Sequence, residues 1–356
     1  MKPAECQILR YRERGWSAGF GVAQLDNGEV VLLGMHSNRK SLWYRSGDFG
    51  GGGTEQTIIA FSNDGGNTWT DFEPIGQGRP NMLAYLGGGD LTFLAAERYF
   101  SGDYGRTWTS APRTMLGGAE GNPLVDRDEN GKATRLAEIG YTTDWKPKGA
   151  PDFMPGQSYI CWSDDGGRTW KDELRPPNWA SSEGSLVRAA NGWIVAGLRT
   201  AAPAENLPGN QTDEFRSTSF AISRDDGKTW SEPRKLFDGR MHPHLLLLPN
   251  GDIVMTVTVR HDIENGERVS YRRGCESVVS HDNGLSWNLD RKYILDEWEF
   301  NDDLEEPEGP DPGFLLSGPG FSHAGHLCTT LLDDGAILTV HNNYLTMGMT
   351  LIRWRP

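Results

Sequence analysis

The sequence predicts an all-β fold: a six-bladed β-propeller of four-stranded antiparallel blades, with residues 1–356 as a single domain. Two repeats carry this expectation. The phrase Ser-x-Asp-x-Gly-x-(Thr/Ser)-Trp occurs five times: SNDGGNTW (62–69), SGDYGRTW (101–108), SDDGGRTW (163–170), SRDDGKTW (223–230) and SHDNGLSW (280–287). A strand, a tight Gly turn and a second strand occur six times: FGVAQLDNGEVVLLG (20–34), NMLAYLGGGDLTFLA (81–95), NPLVDRDENGKATRLAEIG (122–140), GSLVRAANGWIVAGL (184–198), HLLLLPNGDIVMTV (244–257) and HLCTTLLDDGAILTV (326–340). Repeats of this size mark an array of supersecondary units. Composition agrees: 45 Gly and 20 Pro favour many turns, and no long amphipathic helical stretch stands out.

Each element has a local reason. Short β-like runs precede the Asp phrases: TIIAF, QSYICW, TSFAI and CESVV. Within each phrase the Asp accepts hydrogen bonds from backbone N–H groups further along. The Gly permits positive φ, and the Trp packs under a neighbouring hairpin. Each phrase therefore reads as a turn between two antiparallel strands. Its acidic residue could suggest catalysis or metal binding, but five equivalent active sites in one chain are implausible. Five hairpins are followed by an Asp turn, giving about four strands per unit, the size of a propeller blade. The sixth is followed by a single strand, MGMTLIRWRP (347–356). The run ECQILRYRER (5–14) is placed to complete that blade, which would close the ring and remove exposed edges.

In a propeller the first strand of each blade lines the channel, and the residues just before it lie at one mouth. The Asp turns belong to the opposite rim. Function is therefore expected at the mouth. Blade by blade, the candidates are Arg79; Glu120 and Asn122; Glu183 with Arg199; His242 and His244, then Arg272 or Arg273; and His323 and His326. Loops add His36, Arg39, Asp48, Tyr141 and Asp144. Buried charges are destabilising unless paired or solvated, so such a cluster indicates a wet pocket. Arginines suit a carboxylate or sulfate, because guanidinium offers paired planar donors. The partner expected is an acidic oligosaccharide or glycoconjugate. The alternative is that Arg79 and Arg199 pair with Glu120 and Glu183 to hold the channel shut. His326 suits acid–base work near neutrality, or a hydrogen-bonded structural place.

The net charge of −14 argues against nucleic acid as a partner. No apolar run is long enough to span a membrane. Cys6, Cys161, Cys275 and Cys328 show neither metal nor disulfide spacing and read as thiols in strands. Neither HPH (242–244) nor HAGH (323–326) is a specific metal motif, so no metal or cofactor is expected. GGGG (50–53) lacks the Lys-Ser and helix of a phosphate loop and reads as a lip of the pocket. The acidic run 296–313 reads as a solvated loop. The N-terminus lacks the apolar core of a secretory signal. A cytoplasmic protein is expected, or a secreted or periplasmic one if a signal has been removed.

The five Asp turns on a six-bladed pattern resemble the Asp-box (BNR repeat) proteins of the sialidase superfamily, over nearly the whole chain. SEGSLVRAANGWIVAGLR (182–199) is similar to the fourth-blade segment of bacterial sialidases. By that resemblance Glu183 corresponds to the Glu that polarises the nucleophile, and Arg199 to one of three arginines on the substrate carboxylate. SYRRGCESVVSHDNG (270–284) puts Arg272 and Arg273 where such sialidases carry another carboxylate-binding Arg. Two positions depart from the pattern. Counting back from Gly28 puts Ala18 where an Arg belongs, and counting back from Gly335 puts His326 where the nucleophilic Tyr belongs. Asp48 is the nearest candidate for the acid/base Asp. The resemblance implies a sialidase-like hydrolase of a terminal acidic sugar with a changed reaction centre. Water could act between Glu120 or Asp48 and Glu183, or Tyr344 could supply a displaced hydroxyl. A uronate lyase, with His326 or Tyr141 as base, and a non-catalytic glycan-binding propeller are the alternatives.

Overall fold

The computed structural model describes residues 5–9, 11, 16–37, 55–114, 118–119, 121–142, 157–176, 179, 181–200, 217–260, 262–265, 267–270, 272–299, 324–343 and 348–356. Among these residues there is no helix; the strands form six antiparallel sheets and one small extra hairpin.

Blade 1 is built from Trp16–Gln24, Val30–Ser37, Glu55–Ser62 and Glu73–Gln77, in chain order from the channel outward. Blade 2 has Asn81–Gly87, Asp90–Leu94, Arg98–Ser101 and Thr109–Ala111. In blade 3 the innermost strand is split into Gly118–Ala119 and Leu124–Arg127, both paired with Ala133–Thr142, followed by Gln157–Ser163 and Lys171–Leu174. Blade 4 has Ser181–Arg188, Ile194–Thr200, Ser217–Ser223 and Arg234–Asp238. Blade 5 has Arg240–Leu247, Ile253–Val259, Arg272–Ser280 and Tyr293–Glu299. The small hairpin, Asp262–Glu264 with Glu267–Ser270, sits between the second and third strands of blade 5. Blade 6 has Ala324–Leu331, Ile337–Asn343 and Gly348–Trp354, and its fourth strand is Glu5–Leu9. Glu5 lies opposite Arg353 and Leu9 opposite Met349, so the N-terminal strand closes the ring as the sequence predicts.

The apolar cores lie in the seams between blades. Alternation along each strand sends one set of side chains to each neighbour. Leu32 and Ile58 of blade 1 meet Leu338 and Leu351 of blade 6. Phe220 and Phe237 of blade 4 meet Leu245 and Met255 of blade 5. Cys275 and Val279 of blade 5 meet Leu327 and Ile337 of blade 6. The four cysteines lie on strands as free thiols, with Cys6 exposed and the other three buried. A buried ion pair joins blades 2 and 3: Arg98 donates to both oxygens of Glu138, at 2.8 and 2.6 Å.

The five Asp turns share one geometry. In the first, Ser62 Oγ donates to Asp64 Oδ1 (2.8 Å) and accepts from Gly66 N–H (2.8 Å). Asp64 also accepts from Asn67 N–H (3.0 Å), Thr68 N–H (2.8 Å) and the Thr68 hydroxyl (2.6 Å). Asp103, Asp165, Asp225 and Asp282 repeat the Ser and Thr/Ser contacts. Each Gly stands at φ between 84° and 88°, which a side chain resists. The turns join third to fourth strands, so they lie at the end away from the start of the inner strands. Their Trp rings pack into the seam with the preceding blade, as Trp287 does on Phe220 at 6.0 Å.

Candidate functional site

The inner strands do not run regularly at the mouth. Their ladders slip between Gly19 and Gly21, Asn81 and Ala84, Ser181 and Gly184, Met241 and His244, and Ala324 and Leu327. Such bulges bend a strand and re-aim a side chain, and they recur beside functional sites. Here they turn Phe20, Asn81, Glu183, His242 and His326 into one pocket, and Gly121 of the split blade 3 adds a sixth wall. Every blade thus contributes at least one residue, and blades 5 and 6 add Pro243 and Leu327. Gly121 is required by close approach: a Cβ there would lie 1.9 Å from the Gly184 carbonyl oxygen, next to Glu183.

Glu183 is 6% exposed and pairs with the guanidinium of Arg199, itself 6% exposed at the end of the second strand of blade 4. The same carboxylate oxygen, Oε1, faces His242 Nε2 at 3.6 Å. The His242 ring lies 4.4 Å from the His326 ring, centroid to centroid. Arg79 Nη1 donates to His326 Nε2 at 3.4 Å and reaches over the Phe20 ring at 5.7 Å. The arrangement is one carboxylate and two imidazoles tilted at 44° to one another, with an arginine bonded to the carboxylate and another to one of the rings.

Burial lowers His242 to about 4; Glu183 opposes this, and Arg199 and Arg260 add to it. Burial also takes His326 well below its ordinary value, helped by His242 and Arg79. Both rings are neutral near pH 7. The groups acting on them include three arginines, Arg79, Arg199 and Arg260, against one carboxylate, Glu183. The local field favours an anion.

Of the sequence-predicted residues, Glu183, His242 and His326 are brought together in the pocket, with Arg199 and Arg79 bonded to them. The alternative expectation is met for one pair, Arg199 with Glu183, while Glu120, the expected partner of Arg79, lies outside the described residues. His244 is not among the pocket's lining residues. Its Nδ1 meets the Thr329 hydroxyl at 2.8 Å between blades 5 and 6, and burial holds it to about 3. Arg272 is also elsewhere: it grips Asp262 (2.8 and 2.9 Å) and Glu276 (3.1 Å), and with Arg240 it ties the small hairpin to blade 5. Arg273 is buried on the opposite face of the same strand and is not among the lining residues either. Asn122 bridges inner strands, its carbonyl accepting from Leu186 N–H at 3.1 Å. His36 meets Ser17 at 3.2 Å, and Tyr141 is the penultimate residue of a strand of blade 3. Ala18, at the position where an Arg was sought, is fully buried. Arg39, Asp48, Glu120, Asp144, His323 and Tyr344 lie outside the described residues. Among the described residues no group of three or more His, Cys, Asp or Glu is placed to hold a metal.

Sequence reasoning missed Arg260. It immediately follows the second strand of blade 5, while Arg199 is the penultimate residue of that of blade 4, a nearness that could have pointed to it.

The buried histidines set the acid stability. His242 sits at about 4, His244 and His341 at about 3, each lowered first by burial. Below about pH 6.5 the unfolded chain binds protons that these rings refuse, so stability falls as pH drops, by about 1.4 kcal/mol per pH unit for each histidine. The Asp turns act later. Asp64 and Asp225 are held at about 2, chiefly by the Thr68 and Thr229 hydroxyls. Their contribution is present above about 4 and is lost as pH falls through about 2. Urea midpoints measured from pH 8 to 3 are expected to decline from about 6.5 downward; a flat profile to pH 4.5 would contradict this.

No family model matches the chain. A sialidase of Paraclostridium sordellii is 28% identical over 144 residues, covering 36% of this chain and 32% of that protein. The match thus spans about a third of that curated relative. Among solved structures, a protein of unknown function from Dyadobacter fermentans superposes with a TM-score of 0.66 at 18% identity over 99% of both chains. A leech intramolecular trans-sialidase, solved with 2,7-anhydro-Neu5Ac, gives 0.57 at 11% identity over 96% of this chain and 68% of that one. The NanB sialidase of Streptococcus pneumoniae gives 0.53 at 12%, over 96% and 68%. At these identities the likeness to solved structures is one of fold. The ring of six blades agrees with it: the chain has the β-propeller fold of these structures.

Proposed function

We propose that this propeller is a glycoside hydrolase that removes a terminal acidic sugar, of sialic or uronic type, from a glycan. One observation carries the reading: all six blades contribute to a pocket that couples Glu183, His242 and His326 with Arg79, Arg199 and Arg260. The arginines would bind the sugar carboxylate as planar paired donors. The carboxylate and imidazoles would move protons at the glycosidic bond. Asp48 and Glu120 remain the candidates for protonating the leaving oxygen. The five turns fit the Asp boxes of the sialidase superfamily and serve the scaffold. Because His326 replaces the nucleophilic Tyr, direct attack by water, with inversion, fits this pocket better than a tyrosyl intermediate.

The test is a mass balance. The protein is incubated in oxygen-18 water with sialosides and uronate-terminated oligosaccharides, and each new species is weighed. Heavy oxygen in a released acidic sugar is the expected result. Products short of one water would place the chemistry with lyases. Saturable binding without products would leave a glycan-binding propeller.

A further inference from the structure

We propose that His242 is the proton acceptor of this pocket, its Nδ1 taking the proton of a water or sugar hydroxyl, with Glu183 as its positioning residue. The proposal rests on the glycan-processing reading above and assigns the group within it that accepts the proton.

Of the three titratable side chains that line the pocket, two are already engaged by arginines. The Glu183 carboxylate is engaged by Arg199. His326 Nε2 accepts from Arg79, which can only donate. His242 differs. Its Nε2 faces Glu183 Oε1 at 3.6 Å, which favours the proton on Nε2, since a lone pair there would face a carboxylate. The lone pair of the ring then sits on Nδ1. That atom is buried and has no hydrogen-bond partner, although His242 lines the pocket. An unmet acceptor inside a protein is destabilising and calls for a donor; a water or a substrate hydroxyl in the pocket supplies one.

The proton step balances. The O–H bond breaks, an N–H bond forms at Nδ1, and the electron pair stays on oxygen, which attacks the anomeric carbon. The bond from that carbon to the leaving oxygen breaks with its electrons on the oxygen. That oxygen takes a proton from the acid group that inverting hydrolysis requires. The new imidazolium charge faces Glu183. The groups acting on the ring are Glu183 and Arg199 of blade 4, Arg260 of blade 5, and His326 and His341 of blade 6, with Arg79 acting through His326. Burial and the arginines keep His242 unprotonated at neutral pH, while Glu183 favours the charged ring.

The fold makes a clean variant available. His242 stands at φ 50°, in the left-handed region, as Met82 does at φ 53° in the bulge of blade 2. Asn tolerates that region better than other side chains, so His242→Asn keeps the backbone while removing the imidazole. Long-range 1H–15N spectra of the 15N-labelled full chain, assigned by loss of signals in H242N, are expected to show the Nε2–H tautomer at pH 7. A proton on Nδ1 would overturn the proposal. With 3′-sialyllactose as probe, H242N is expected to lose about 10²–10⁴-fold in kcat, with KM within about threefold of wild type. Unchanged kcat with raised KM would make His242 a binding residue and also overturn it. The wild-type acid limb is expected near pH 4, well below that of an exposed imidazole. If wild-type protein leaves both this probe and a uronate-terminated oligosaccharide intact, the hydrolase reading fails, and the tautomer alone then decides for or against His242.

Discussion

Replacing Arg98 by Met is expected to cost about 3–5 kcal/mol of folding stability. Arg98 and Glu138 are 3% and 0% exposed, and two short hydrogen bonds join them across the seam of blades 2 and 3. The guanidinium also stands 5.0 Å over the Trp170 ring of blade 3. Removing the cation leaves a carboxylate buried without its bidentate partner, and that penalty exceeds the net worth of the pair itself. The double variant R98M/E138L removes both charges and fills the seam with apolar atoms, so it is expected to recover most of the loss. Urea unfolding followed by Trp fluorescence at pH 7 measures both. A single variant within about 1 kcal/mol of wild type would show that the seam relaxes to admit water.

Glu183→Gln is expected to reduce turnover of the acidic glycan by about 10²–10⁴-fold while the chain stays folded. The substitution keeps the shape but removes the charge bonded to Arg199 and facing His242. Two consequences follow from one change. The imidazolium formed during proton transfer loses its counter-charge, so kcat falls. The pocket gains net positive charge, so an acidic ligand is held at least as tightly. Lower kcat with unchanged or lower KM is therefore the expected pattern, together with a further drop in the His242 pKa, which Glu183 otherwise raises. A variant with wild-type kcat would remove Glu183 from the reaction.

The blade architecture was legible because its signals are local and repeated. A Ser-x-Asp-x-Gly-x-Thr-Trp turn closes its hydrogen bonds within eight residues, so its sequence suffices to specify it. The run at residues 5–14 was assignable to blade 6 because one blade lacked a strand and one strand lacked a blade. The site was legible in part. Glu183, His242 and His326 could be picked out because each stands at the start of an inner strand. The same positional rule also selected His244, and the resemblance to sialidases selected Arg272 and Arg273. Neither signal knows which way a side chain points, and two of these three are held by partners in other strands, Thr329 and Asp262.

The sequence by itself determined the six hairpins, the five turns, the closing strand and the end of the channel where polar residues gather. Turn chemistry and strand alternation depend on neighbours a few residues apart. Only the tertiary structure decided which residues share the pocket. The bulges shift register by one residue at the mouth, and such a slip sends a side chain to the other face of its strand. Which face a bulged residue takes, and whether a carboxylate meets an arginine or an imidazole there, depends on blades far apart in the chain. Arg79 meets His326 across 247 residues, and no local pattern encodes that contact.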